Sequence, residues 1–209
     1  MKGLVLIGGG GHCKAAIDVI EELGFTITGV LDRSESGLNK VLGHPVLGGD
    51  DILPVLVTQG YAALVTIGQI KSALPRIRAF DAAQAAGAQM PCVISPRAHV
   101  SRYATMGIGT LVLHGAVVNA AARVGNNVIV NSLALIEHDA EVGDHCHVAT
   151  GARVNGNVTI GAGCFIGSGA VLKNGIAIGA GSVIGAGAVI RHDIPEGSLV
   201  HVTQQRNPI

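Results

Sequence analysis

The sequence is poor in the residues that mark several large classes of protein. Its 209 residues include no tryptophan, two tyrosines and three phenylalanines, and its 14 basic residues balance 14 acidic ones. Proteins that bind nucleic acids or anionic membrane surfaces carry an excess of positive charge, so neither class is expected. No apolar run is long enough to cross a membrane.

The chain is also poor in cysteine and has no arrangement of cysteines that indicates a disulfide framework or a zinc site. Its four cysteines, Cys13, Cys92, Cys146 and Cys164, form no CxxC pair. We interpret them as reduced packing residues of a cytoplasmic protein. The N-terminus turns to glycine after a few residues, so no signal peptide is predicted. No metal site is predicted, because the only paired histidines are a lone HxH.

Glycine is abundant, with 31 residues, and much of it belongs to a repeat with a period of six. An aliphatic residue recurs at every sixth position from 94 to 190, and a small or apolar residue follows it four positions later. This period fits neither a helix nor an alternating strand, and it is typical of a parallel β-helix built from hexapeptides. The aliphatic residues are Ile94, Val100, Met106, Val112, Val118, Val124, Val130, Ile136, Val142, Val148, Val154, Ile160, Ile166, Leu172, Ile178, Ile184 and Ile190.

The period also predicts the cross-section of the β-helix. Three hexapeptides form one triangular coil, so residues one coil apart stack at about 4.8 Å. The repeated aliphatic side chains fill the axis, and each contributes roughly 1.5–3 kcal/mol of burial free energy. We therefore predict a well-packed β-helix domain over residues 91–209.

The first 90 residues have a different pattern, in which short buried strands alternate with amphipathic helices. Such alternation predicts a small parallel sheet with helices on its faces, a Rossmann-like α/β domain over residues 1–90. The predicted elements are strands at 4–7, 27–31 and 62–67 and helices at 14–23 and 75–86.

A glycine-rich turn, Gly8 to His12, lies between the first strand and the first helix. Backbone N–H groups in such a turn can bind a phosphate or pyrophosphate. Asp32 ends the next strand, where a carboxylate would meet a ribose hydroxyl. Three interpretations of this turn remain open: a site for a nucleotide diphosphate, a purely structural turn and a site for NAD(P). Against NAD(P), the GxGxxG pattern counted from Gly8 has Cys13 in place of its last glycine.

The hexapeptide phase separates side chains that point into the β-helix from those that point out. His138 and His147 both point outward, and Glu137 and Asp139 could orient the ring of His138. Histidine suits general-base catalysis because it exchanges a proton near neutral pH. His114 and His145 also point outward, and we assign them to the surface.

Five motifs together extend over almost the whole chain: LIGGGGHCK, TIGQ, VISPRAHVS, IEHD and HVATGA. In this combination the sequence resembles the left-handed β-helix acyltransferases, and within them the PglD/NeuD group of bacterial sugar acetyltransferases. The resemblance implies a left-handed coil, a homotrimer, acetyl-CoA bound by the β-helix and a UDP-sugar bound by the N-terminal domain. It is strongest to the UDP-4-amino-sugar N-acetyltransferases.

The resemblance also implies roles for individual residues. It makes His138 the general base and Asp139 its acidic partner, with Asn131 as a further polar residue and Gly156 as an oxyanion donor. It places His147 against acetyl-CoA, with Ser168, Gly185 and Ala186 along the pantetheine arm; ordinary corner packing is the alternative for these three. The UDP-sugar contacts that it implies are Gly10, Gly11 and His12 at the phosphates and Asp32, Arg33 and Gly68 around the uridine.

This sequence departs from the family pattern in two places. Arg33 follows Asp32 where the family often has a second acid, and the tail HVTQQRNPI replaces a Gly-x-Pro-Ala stretch. Both departures concern ligand contacts rather than the fold.

Spacing within the β-helix gives one inference that does not depend on the family. Gly156 lies one coil after His138 and so stacks directly above it, whereas His147 lies half a coil away on a nearly opposite flank. We therefore expect the active site to form between two chains, one contributing His138 and the other His147.

From the sequence and this resemblance we expect a cytoplasmic, homotrimeric, acetyl-CoA-dependent N-acetyltransferase that acts on the 4-amino group of a UDP-linked amino-trideoxy sugar. Direct transfer is expected, because no cysteine lies beside a base that would activate it. The alternatives are a sugar O-acetyltransferase of the sialic-acid type and a non-catalytic trimer that binds a nucleotide sugar.

Overall fold

The computed structural model describes residues 2–33 and 37–201, and an α/β domain precedes a triangular β-helix. The departure from the family pattern in the tail falls mostly on residues 202–209, which lie outside the described residues. The architecture changes between helix α3, which ends at Ala85, and the first strand of the β-helix, which begins at Val93.

The N-terminal domain has a five-stranded sheet in the order β3-β4-β2-β1-β5. The predicted strands over 4–7 and 27–31 are confirmed, and the other predicted elements differ by a few residues at their ends. The hairpin β3–β4 and helix α2 are not predicted, because their segments are too short to show a period. The elements are β1 Leu4–Ile7, α1 Gly11–Glu22, β2 Ile27–Leu31, β3 Lys40–Val41, β4 His44–Gly48, α2 Leu53–Thr58, β5 Ala62–Val65 and α3 Leu74–Ala85.

The β-helix consists of two-residue parallel strands, each paired with the strand one coil later in the chain. Its three sheets are called here face 1, face 2 and face 3, in the order in which the chain meets them. Face 1 contains Val93–Ile94, Leu111–Val112, Ile129–Val130, His147–Val148, Phe165–Ile166, Val183–Ile184 and Leu199–Val200. Face 2 contains His99–Val100, Val117–Val118, Leu135–Ile136, Arg153–Val154, Val171–Leu172 and Val189–Ile190. Face 3 contains Thr105–Met106, Arg123–Val124, Glu141–Val142, Thr159–Ile160 and Ala177–Ile178.

The predicted aliphatic row fills the axis of this prism. From Val112 to Ile190 every member is buried, and Cys146 and Cys164 pack among them as predicted. Ile94, Val100 and Met106 are only partly buried, because they belong to the first coil and nothing stacks beneath them. The fold predicted from the sequence is therefore confirmed.

One residue in each hexapeptide has a positive φ and makes the corner. From Gly109 to Gly187 this residue recurs every six positions, and most of the corners use glycine. In the middle coils the corner is made by residues with side chains: Ala121, Asn127, Leu133, Asp139, His145 and Asn157. Since non-glycine residues rarely adopt this conformation, these corners place specific side chains at the edges of the prism.

The N-terminal domain packs against the lower coils of face 1. Val93, Leu111 and Leu113 belong to the same apolar cluster as Cys13 and Ile17 of α1. The two domains therefore share an apolar cluster at their interface, separate from the axial core of the β-helix, and the glycine turn that precedes α1 lies beside the β-helix.

Candidate active site

A cavity of about 520 Å³, the turn cavity, opens at the carboxyl ends of the N-terminal strands. Predicted ligand contacts Gly10, Asp32, Arg33 and Gly68 all line it. A model Cβ at Gly10 would have no atom within 4 Å, so its backbone is open to a ligand. The position at the carboxyl ends of parallel strands is the usual ligand site of an open α/β sheet.

Asp32 also holds the glycine turn together. Its Oδ2 accepts a hydrogen bond from the Gly9 N–H at 2.6 Å, and its Oδ1 accepts one from the Arg33 N–H at 2.7 Å. A Cβ at Gly9 would lie 2.6 Å from Oδ2, so glycine is required for this contact. Asp32 therefore shapes the turn, whatever it contributes to binding a ribose.

A second cavity of about 490 Å³, the junction cavity, lies where α1 meets face 1. It brings together Gly11, His12 and Gly68 from the N-terminal domain with Asn131 and His147 from the β-helix. Helix α1 begins at Gly11, earlier than predicted, so His12 lies in its first turn. A Cβ at Gly68 would lie 3.3 Å from the Cβ of His12, and these two segments therefore pack closely.

His147 leaves the prism as predicted, but its side chain is covered and does not face solvent. The residue is 7% exposed, because the N-terminal domain of the same chain covers it. Its Nδ1 donates to the Gln69 carbonyl at 2.9 Å, and its Nε2 accepts from the Asn131 amide at 3.0 Å. The repeat phase indicates which side chains leave the prism, but it does not indicate what covers them. The contact of His147 with acetyl-CoA stays a prediction.

These bonds also fix Asn131. Its Oδ1 accepts from the Ser132 N–H at 2.8 Å, and one hydrogen of its amide group goes to His147. The amide keeps a second N–H. Asn131 is half-buried and borders the junction cavity, so it can donate a hydrogen bond there.

Burial keeps both histidines of the junction cavity neutral. Desolvation, followed by the neighbouring His147 and Arg76, lowers the pKa of His12 to about 3. Desolvation lowers the pKa of His147 to about 4, against the opposing effect of its bond to Gln69. The Nε2 of His12 is buried and has no hydrogen-bond partner in the described chain. His12 is therefore a neutral ring with an unpaired nitrogen at the junction cavity.

His138 lies elsewhere, on the edge between faces 2 and 3, and it is exposed. Its Nδ1 is 2.8 Å from Oδ2 of Asp139. A carboxylate only accepts, so Nδ1 carries the hydrogen and Nε2 has a free lone pair. The His138 N–H donates to Glu137, which also accepts from Asn119. The sequence-predicted partner, Asp139, is thus in contact with the ring.

Gly156 lies against the ring of His138, one coil above it. A Cβ at Gly156 would lie 2.8 Å from Cε1 and 2.9 Å from Nε2 of the ring. The Gly156 N–H has no acceptor within residues 2–33 and 37–201. The stacking predicted from the spacing is confirmed, and an unpaired donor lies close to the ring.

The junction cavity and the pair His138 and Gly156 lie on opposite sides of the β-helix. The junction cavity adjoins face 1, whereas His138 lies on the edge between faces 2 and 3, opposite that face. The turn cavity is lined by the N-terminal domain alone.

The predicted pantetheine contacts lie on the edge between faces 1 and 2. Gly185 stacks three coils above Asn131, and Ser168 and Ala186 stack above Ser132, as the pairing register of face 1 shows. Ser168 and Ala186 are exposed. Ser168, Gly185 and Ala186 therefore lie on the same edge of the β-helix as Asn131, which lines the junction cavity.

The polar residues that join the two domains are not predicted from the sequence. Gln69 donates to the carbonyls of Gly163 and Cys164, and Arg76 donates to the carbonyl of Ile67 and to Asn127. His114 and His145 were assigned to the surface, but His114 bonds Asp18 of α1 and His145 packs on Phe80 of α3. No local pattern could show these contacts, because they depend on how the domains dock.

The chain was compared with known proteins at the level of families and structures. The PglD N-terminal domain matches residues 3–73, and the bacterial transferase hexapeptide (six repeats) matches residues 121–156 and 157–192. No curated protein matches. PerB from Caulobacter crescentus, solved with CoA and GDP-perosamine, is 35% identical in sequence to this chain. The match covers 94% of this chain and 92% of PerB, and the TM-score is 0.87. This chain belongs to the same family of sugar N-acetyltransferases.

Two further structures agree with this membership. A histidine-to-asparagine mutant of the Caulobacter perosamine N-acetyltransferase is 34% identical, with a TM-score of 0.89 and coverage of 94% and 92%. The acetyltransferase domain of PglB from Neisseria gonorrhoeae is 33% identical, with a TM-score of 0.88 and coverage of 95% and 96%, and it has also been solved with acetyl coenzyme A. The predicted enzyme class, a sugar N-acetyltransferase that uses acetyl-CoA, is confirmed.

Residues 2–33 and 37–201 contain neither a metal-binding cluster nor a helix that could span a membrane. No group of three or more His, Cys, Asp or Glu side chains there is arranged to hold a metal ion. No helix in these ranges has the length and apolar character needed to cross a membrane.

Proposed function

We propose that the protein transfers an acetyl group from acetyl-CoA to the 4-amino group of a nucleotide-linked amino-trideoxy sugar, with His138 as general base. The contact of His138 with Asp139, 2.8 Å between Nδ1 and Oδ2, carries this proposal. It fixes the tautomer that leaves Nε2 able to take a proton from the attacking amine.

In the proposed reaction the amine nitrogen attacks the thioester carbonyl, so a C–N bond forms and the C–S bond breaks. Nε2 of His138 takes the proton that the amine loses and returns it to the leaving thiolate. The unpaired N–H of Gly156 is beside the ring, where it can stabilise the oxyanion of the tetrahedral stage. Acetyl-CoA supplies the acetyl thioester.

The site is proposed to form between two chains of a homotrimer. One chain contributes His138 on its edge between faces 2 and 3, and the next contributes the two cavities, Asn131 and the edge that includes Ser168, Gly185 and Ala186. Face 2 supports this assembly. Four of its six outward side chains are aliphatic, Val117, Leu135, Val171 and Val189, and the other two are His99 and Arg153. Face 3 instead presents Thr105, Arg123, Glu141, Thr159 and Ala177. An apolar outer face is typical of a subunit interface.

The nucleotide is predicted from the sequence to be UDP. GDP is a second candidate, because PerB was solved with GDP-perosamine and resembles this chain over nearly its whole length. In either case the phosphates are proposed to lie on Gly10, Gly11 and a neutral His12, with Asp32, Arg33 and Gly68 around the nucleoside. The predicted cytoplasmic location agrees with the four free cysteines.

The test is a panel of UDP- and GDP-linked sugars, incubated with acetyl-CoA while thiol release is followed. Turnover with 4-amino sugars is expected. Turnover only with hydroxyl acceptors would favour O-acetylation, and nucleotide-sugar binding without turnover would favour a scaffold. With the best substrate, His138→Ala should lower kcat by about 10²–10⁴-fold while ligand binding persists. Arg123→Ala, which removes an exposed side chain from face 3, outside the proposed interface, is the control.

A further inference from the structure

One corner of the β-helix has a leucine where the other corners of its row have glycine. This corner row lies on the edge between faces 1 and 2, and each of its members has a φ between 61° and 69°. The members are Gly115, Leu133, Gly151, Gly169 and Gly187. A left-handed conformation is unfavourable for a bulky side chain. Leu133 is therefore retained at a position where glycine would fold with less strain.

The side chain of Leu133 is not needed to build this corner. Its backbone N–H donates to the His114 carbonyl, and the N–H of Gly151 makes the same bond one coil later, to the Ser132 carbonyl. The side chain lies against Gly115, where a Cβ would be 2.7 Å from Cδ2 of Leu133, and it is still 67% exposed. Backbone strain retained at an exposed side chain points to a contact made outside this chain.

The conformation alone does not mark a ligand contact, because Leu42 shares it. Leu42 has a φ of 46° and is 58% exposed, but it lies in the tight turn of the hairpin β3–β4, where a left-handed residue is ordinary. Leu133 instead lies two residues after Asn131, which lines the junction cavity. That cavity also has the apolar lining residues Ala15 and Ile70. Leu133 is therefore beside a cavity suited to a ligand with polar and apolar parts.

The proposed assembly puts this corner between the phosphates of the nucleotide and the catalytic edge of the next chain. The sugar must extend from the phosphates at Gly11 and His12, past the corner of Leu133, to His138 of the next chain. A 4-amino sugar without oxygen at C6 has a methyl group there, three bonds from the amine nitrogen and within about 4 Å of it. A methyl group packs favourably on leucine, whereas a hydroxyl there would lose hydrogen bonds with water.

We infer that Leu133 contacts the C6 methyl group of the sugar whose amine is at His138 of the next chain, and that it selects 6-deoxy sugars over sugars with a C6 hydroxyl. This inference rests on the proposed function and adds a specificity-determining residue to it. Asn131 then donates its second amide N–H to a polar group of the sugar, and Leu133 contacts the methyl group.

The test compares two nucleotide-linked 4-amino sugars that differ only in having a methyl or a hydroxymethyl group at C5. The wild-type protein should favour the 6-deoxy sugar by about 10²-fold in kcat/KM, and Leu133→Gly should reduce this ratio to below about tenfold. Leu133→Met, which keeps an apolar side chain of similar size, should restore it. The KM for acetyl-CoA should not change.

Two controls separate this effect from a change in folding. The Tm of Leu133→Gly should stay within about 4 °C of the wild-type value, because glycine suits the corner. Leu42→Gly removes the other exposed leucine with a positive φ and should keep the wild-type ratio.

An unchanged ratio in Leu133→Gly, or a wild-type protein that acetylates both sugars equally well, would overturn the inference and leave the proposed function standing. Equal losses with both sugars, together with dissociation in sedimentation, would also overturn it, because Leu133 would then pack against the next chain. Calorimetry separates binding from turnover. Tighter, Leu133-dependent binding of the 6-deoxy sugar nucleotide by a wild-type protein that acetylates neither sugar would support the inference and refute the proposed function.

Discussion

The residues around His138 are arranged so that the ring has little freedom. Asp139 has a φ of 59°, a left-handed conformation that Asp tolerates better than most residues, and this corner turns its carboxylate toward Nδ1. Gly156 forms the other boundary, since the ring occupies the space that a side chain would need. The ring is therefore positioned by one hydrogen bond and one packing contact, although it is exposed.

Gly156→Ala tests this positioning. The φ of Gly156 is not positive, so alanine suits the backbone, but its Cβ would lie 2.8 Å from Cε1 of His138. The ring must move, and a displacement of about 1 Å can lower a rate by about 10²-fold. We expect kcat to fall by about 10–100-fold with little change in Tm. An unchanged kcat would show that the ring's position does not depend on Gly156.

Helix α3 contributes the side chain that connects the two domains. Arg76 is 1% exposed and donates to the carbonyl of Ile67 at 2.9 Å and to Oδ1 of Asn127 at 3.0 Å. Burial lowers its pKa to about 10, so it stays charged at neutral pH. Ile67 precedes Gly68, which lines both cavities. Arg76 therefore fixes the loop at Ile67 and Gly68 relative to the β-helix.

Arg76→Ala should lower the free energy of unfolding by about 2–4 kcal/mol. The variant loses charged hydrogen bonds, leaves Oδ1 and the backbone carbonyl of the buried Asn127 without the arginine donor and creates a cavity. Denaturant unfolding measures the change. Arg78→Ala, on an exposed position of the same helix, should cost less than about 0.5 kcal/mol. A similar small cost for both variants would show that Arg76 does not join the domains.

In the whole molecule the two domains share an interface that contains neutral histidines. His12 and His147 have their ring centroids 5.9 Å apart, and the pKa of each is well below its usual value. The unfolded chain takes up a proton at each ring near pH 6.5, whereas the folded protein does so only near pH 3–4. The stability that these rings contribute is therefore present above pH 6.5 and is lost as the pH falls toward 4.

The free energy of unfolding should accordingly fall between pH 6.5 and pH 4, by up to about 1.4 kcal/mol per pH unit for each histidine. Chemical denaturation at several pH values measures the slope. His147→Gln should reduce this slope by the contribution of one histidine. A slope that His147→Gln leaves unchanged would contradict the assignment.

The proposed two-chain site predicts complementation between inactive variants. His138→Ala removes the base, and Gly10→Glu places a carboxylate in the open turn, where it repels phosphate. Each should be inactive alone. Random exchange at equal ratios would restore about one quarter of all sites, because about three quarters of the trimers are mixed and one of the three clefts in each mixed trimer takes both intact halves. Activity that stays absent after subunit exchange would place the site within a single chain.

The sequence alone determined the β-helix, since a side chain must point inward once in six residues whatever surrounds the prism. The same period determined that Gly156 stacks above His138, and the short apolar runs determined strands β1 and β2 of the N-terminal sheet. These features depend on local geometry and on burial of repeated aliphatic residues.

Only the tertiary structure decided what covers each outward side chain. His147, His114 and His145 leave the prism in the same way as His138, yet the first three meet the N-terminal domain and His138 does not. The difference arises from docking of α1 and α3 on face 1. Docking depends on shape and polar contacts between residues far apart in the chain, and no period in the sequence encodes them.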